Sequence, residues 1–113
     1  MDGYTNYLNE TIEKLKEEEA ELVKENRKDE ANFIRIKNNI CEICKTIYLV
    51  LCERETGETL KEEYRKRLTK LAGDWKISLE KAGEHDDIKK VIIEETKLEM
   101  LQNLEKRFEE TEA

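Results

Sequence analysis

The chain has 113 residues, 43% of them charged and 37% hydrophobic, with a formal net charge of −7. That length suits one domain spanning 1–113 with a modest core, and the acidic balance argues against nucleic-acid and anionic-membrane partners, which are themselves polyanions. With no proline, four glycines and one serine, turn-rich β folds are poorly supported and an all-α chain is expected.

The first predicted helix covers about 4–25, on an apolar stripe of Leu8, Ile12, Leu15 and Leu22 with alternating steps of three, four and seven. A second, over about 30–54, continues the same register through Phe33, Ile36, Ile40, Ile43, Ile47 and Val50. Between them the stripe fades into polar residues at 24–30, where Glu19, Asn26 and Asp29 occupy seam positions. One reading is a continuous helix of about 50 residues, some 75 Å long, whose projecting half needs a partner in a coiled-coil-like dimer. The other, favoured by matching helix lengths, is a turn in which Asn26 adopts the left-handed conformation and Asp29 caps the next helix.

Glu55-Thr56-Gly57-Glu58 interrupts the pattern, and Thr59-x-x-Glu62 has the spacing of a capping box. A third helix over about 59–82 then carries Leu60, Tyr64, Leu68, Leu71, Trp75, Leu79 and Ala82 inward and ends at Gly83. Gly73 inside it marks a close helix contact or a kink, because glycine costs roughly 1 kcal/mol relative to alanine there. Asp86 or Asp87 caps a fourth helix over about 87–109, with Ile88, Val91, Ile92, Leu98, Leu101, Leu104 and Phe108 as its stripe. Four segments of similar length with short links make an up-down-up-down four-helix bundle. Its first and last quarters are acidic and its middle ones mildly basic. No internal repeat stands out beyond the heptad.

No chemistry-bearing motif is specific. Cys41-x-x-Cys44 has the spacing of a redox pair or half a zinc site, but it lies inside a helix rather than at its N-terminus, and Cys52 is about 12 Å further along the axis. Three cysteines without an export signal read as reduced thiols packed in the core. His85, the single histidine, sits in a turn about 18 Å from Cys41. One histidine cannot supply the paired Glu-x-x-His motifs of a di-iron bundle, and Glu19 and Glu95, near the stripes, are expected at flanks or ends. The cluster Arg65-Lys66-Arg67 with Lys70, Tyr64, Trp75 and Lys76 raises nucleic-acid binding, but its aromatics share the apolar stripe. No hydrolase, nucleotide or zinc-protease motif occurs.

The densest apolar run, Ile47-Tyr48-Leu49-Val50-Leu51, covers nearly every face of a helix, more than a small bundle can bury. The expectation is therefore a non-enzymatic, cytoplasmic helical protein with no cofactor or metal, acting by protein contact or homodimerisation through Ile47, Tyr48, Leu49, Val50 and Leu51. Alternatives are a small-molecule or metal-binding bundle using Cys41, Cys44 or inward carboxylates, and a nucleic-acid accessory protein.

Overall fold

Four amphipathic helices joined by three short turns build the chain: α1 (Gly3–Lys24), α2 (Lys28–Cys52), α3 (Gly57–Glu84) and α4 (Ile88–Glu112). The computed structural model describes residues 3–112 and is an all-α four-helix bundle. The favoured turn at 24–30 is thereby borne out, and the alternative continuous first helix is not formed. Asn26 takes φ 61, and the amides of Asn26 and Arg27 close onto the carbonyls of Val23 and Leu22, which satisfies the end of α1. α2 then starts two residues earlier than Asp29 as its cap implies, and its N-cap position, Arg27, makes no side-chain cap. The α2–α3 link turns at Gly57, whose φ of 57 suits a residue without Cβ, and Thr56 rather than Thr59 stands at the N-cap. Gly83 lies within α3, and the left-handed residue is Asp86, φ 52; Asp87 Oδ1 accepts from the Lys90 amide and caps α4.

The two hairpins repeat one another with an offset of 60 residues, a relation the sequence hides. Asn26 and Asp86 share the same backbone conformation. The turn bonds Asn26→Val23 and Arg27→Leu22 recur as Asp86→Gly83 and Asp87→Ala82. At the joined end Tyr4, Tyr48, Tyr64 and Phe108 stack edge to face in matched pairs. Tyr4–Tyr48 and Tyr64–Phe108 centroids are 5.1 and 4.8 Å apart within hairpins; Tyr48–Tyr64 and Tyr4–Phe108 are 5.1 and 5.0 Å apart between them. Exchanging the hairpins preserves these distances, so an approximate two-fold axis relates them. It passes near the Tyr4 and Tyr64 hydroxyls, one donating to the other at 2.6 Å.

α1 packs on α2 and α3 on α4, the hairpins meet chiefly through α2 and α4, and among the described residues no Cα atoms of α1 and α3 come within 8 Å. The shared core fills the aromatic end, with Leu8, Ile40, Cys41, Cys44, Leu51, Leu68, Leu101 and Leu104 around the rings. Further from it, Leu22, Ala31 and Ile34 form a separate cluster belonging to the first hairpin alone. At the corresponding places the second hairpin has Ala82, Val91 and Glu94, a thinner filling. The hairpins accordingly splay away from the shared end. The radius of gyration is 15.3 Å, with extents of 43 × 36 × 21 Å, against about 13 Å for a closed domain of this length. The accessible surface of 7374 Å² likewise exceeds the roughly 6500 Å² expected for the mass.

The buried Tyr4 hydroxyl bonds Tyr64, so removing the Tyr64 hydroxyl strands it, whereas Tyr64 also meets Cys44. Tyr64→Phe is expected to cost about 1–2 kcal/mol in urea denaturation, and Tyr4→Phe/Tyr64→Phe less than the two single costs combined. Strictly additive costs would contradict a shared bond.

Candidate functional site

α2 carries apolar residues on more of its circumference than the core uses. Its buried row is Ile34, Asn38, Cys41, Cys44, Tyr48 and Leu51, with Ile40 beside it. The seven-residue row Ile36, Ile43 and Val50, expected in the core from sequence, is rotated outward: Ile36 is half-buried, and Ile43 and Val50 are 39% and 40% exposed. The hairpin turn releases α2 from the register of α1. The helix then presents the small Cys41 and Cys44 and the flat Tyr48 to the rings, which bulkier Ile43 and Val50 would fit less well.

The residues predicted as an interface are consequently divided. Tyr48 and Leu51 are buried in the shared core and Ile47 packs against it half-buried, so these three face inward. Leu49 and Val50 are exposed, Leu49 at 41%. Ile43 belongs with them; only the coexistence of two apolar rows on one helix could have revealed it. The second hairpin supplies an internal control. Sixty residues on from Ile36, Ile43, Leu49 and Val50 stand Thr96, Asn103, Glu109 and Glu110 on α4. The fold therefore tolerates polar residues at these places, and the apolar character of the outer face of α2 is not a requirement of packing.

The remaining candidates are dispersed. Cys41 and Cys44 are buried, and desolvation pushes each thiol from 9.0 up to about 12, with Tyr64 in hydrogen-bonding relation to Cys44. Both are poor nucleophiles in that setting, since the thiolate is the reactive form. Cys52 is half-buried at the end of α2. His85 occupies the α3–α4 turn at the opposite end of its hairpin from the shared core. Among the described residues no three His, Cys, Asp or Glu side chains converge as a metal site.

In the fourth helix the expected Leu98, Leu101, Leu104 and Phe108 are buried, but at its start Ile88 and Ile92 are exposed and Glu94 is buried, at the place Ile34 takes in the first hairpin. Lys97 reaches Glu94 at 3.2 Å and lies 4.8 Å over the Trp75 ring, while Glu94 Oε2 has no hydrogen-bond partner. Glu95 is exposed, and Glu19 is half-buried against Arg35 at 2.9 Å. In the basic cluster Tyr64 is core and Trp75 is half-buried. Arg65 donates both arms of its guanidinium to Glu109 at 2.7 Å, holding that carboxyl below the usual range. Lys66 meets Glu63 and Lys70 meets Asp74. Gly73 is exposed inside an unbroken α3, and a Cβ there would meet nothing within 4 Å, so it marks neither a tight helix contact nor a break.

No protein-family model, curated protein or solved structure matches this chain. Among the described residues no helix is long and apolar enough to cross a membrane.

Thiol titration checks the burial directly. At pH 8 Cys52 is expected to react with a disulfide reagent well ahead of Cys41 and Cys44, whose labelling should wait for unfolding; equal rates would contradict the packing. Because both core thiols ionise later when folded than when unfolded, their stabilising effect is complete below pH 9.0 and is lost as pH rises towards about 12. Tyr4 and Tyr64, pushed upward chiefly by burial, act in the same direction. Urea midpoints should therefore fall steadily over that alkaline range.

Proposed function

We propose that this chain is a non-enzymatic helical protein that works by protein contact, through the outer face of α2. The supporting observation is the apolar row Ile36–Ile43–Val50, flanked by Leu49, on a helix whose equivalent, α4, carries Thr96, Asn103, Glu110 and Glu109 at the same positions. Apolar side chains that a fold does not need, gathered on one face with heptad spacing, are the usual signature of a helix that packs against something outside the chain. The buried, protonated thiols and the dispersed carboxylates and histidine favour this over a catalytic reading.

Site-specific photo-crosslinking in cells tests it. A benzophenone amino acid at position 43 or 50 should form protein adducts, and the same probe at 103 or 110, its pseudo-equivalent positions, should not. Adducts of equal yield from both helices, or none from α2, would remove the support. Ile43→Lys should meanwhile leave folding stability within about 0.5 kcal/mol, since that side chain lies outside the core.

A further inference from the structure

We infer that the partner on this face is a second copy of the chain, bound in an antiparallel, two-fold arrangement centred on Ile43. The inference rests on the reading of α2's outer face as a contact surface and adds what covers it. Ile36 and Val50 lie seven residues either side of Ile43, so a two-fold axis there sets Ile43 against Ile43 of the other copy and Ile36 against its Val50. The row is about 21 Å long at 1.5 Å per residue, and rotation about its midpoint matches it to itself.

The charges alongside it obey the same symmetry. Arg35 and Glu53 are eighteen residues apart, five full turns, so both project along one edge of the row, and Glu53 retains right-handed helical dihedrals. Their midpoint is residue 44, within one residue of the apolar midpoint. Antiparallel pairing keeps an edge facing the same edge, which brings Arg35 of each copy to Glu53 of the other. Arg35 is 57% exposed and holds Glu19 with part of a five-donor guanidinium, leaving donors for a second carboxylate. Glu53 is exposed and makes no ion pair among the described residues. At about 27 Å along one helix, Arg35 and Glu53 are too far apart to meet within a chain.

The size of the face sets the strength. One helix about 37 Å long and about 10 Å wide offers less than the roughly 800 Å² per partner of a standard stable complex, which makes the dimer weak, with a Kd of about 10–100 μM.

Sedimentation equilibrium of the full chain, with circular dichroism melts to confirm folding, is the test. Wild type should dimerise in that range, and Ile43→Lys should raise Kd at least about 100-fold by placing two ammonium groups at the axis. Arg35→Glu and Glu53→Arg should each weaken the dimer about 10-fold, and Arg35→Glu/Glu53→Arg should return it to within about threefold of wild type, a rescue only contact between copies can give. A wild-type monomer to about 500 μM, a dimer indifferent to Ile43→Lys, or a double variant no tighter than the singles would overturn the inference. If the chain stays monomeric while probes at position 43 capture a protein of another mass, the second copy is refuted and the contact reading survives. If those probes capture nothing, both fall.

Discussion

The hydrogen bond between Tyr4 and Tyr64 is the point on which the rest of the structure depends. It joins two helices whose backbones stay apart, inside a cluster of four rings that takes one aromatic residue from each helix. Each edge-to-face pair contributes about 0.5–1.5 kcal/mol beyond its buried area, and the buried hydroxyls satisfy one another, with Cys44 as a further partner of Tyr64. That arrangement orients α2. Tyr48 joins the rings, Cys41 and Cys44 share the core with Leu101 and Leu104, and Leu51 closes the end. Once these point inward, Ile43 and Val50 point outward.

Helices and turns were legible in the sequence for local reasons. Polar interruptions at 24–30, 55–58 and 83–87 coincide with the three links, and Asn26 and Asp87 take the roles their side chains suit. Rotation about the helix axes was less legible. α2 offers two apolar rows, and the row with cleaner heptad spacing is the outer one, so periodicity alone selects the wrong face. In α4 a carboxylate, Glu94, occupies a core position because Lys97 and the Trp75 ring accompany it, while Ile88 and Ile92 stand in solvent. The internal repeat was hidden for a related reason: across the two hairpins the matched residues Tyr4/Tyr64, Leu8/Leu68, Lys16/Lys76 and Lys37/Lys97 are identical, but most of the rest conserve only burial. The division of 47–51 between core and surface likewise depends on a rotation that composition cannot supply.

The approximate two-fold axis separates what the fold needs from what it does not. Positions buried in both hairpins, such as Leu8 and Leu68 or Tyr48 and Phe108, build the shared core. Ile43 and Val50, exposed and matched on α4 by the exposed Asn103 and Glu110, have no such duty, and their heptad row is the physical ground for assigning the proposed contact to α2. The same comparison grades the two hairpin ends. Leu22, Ala31 and Ile34 close the first, whereas Ala82, Val91 and Glu94 fill the second with less apolar volume. Regions with few buried apolar contacts open most easily, so stability should decline away from the aromatic end and more steeply along α3 and α4.

Native-state hydrogen exchange followed by NMR tests this most directly. The account predicts slowest exchange at the core ends of α2 and α4, near residues 41–51 and 101–108, intermediate protection at 28–34, and fastest exchange near 80–94. Uniform protection along all four helices, or amides around 88–94 as slow as those around 44–48, would contradict a fold held together at one aromatic end.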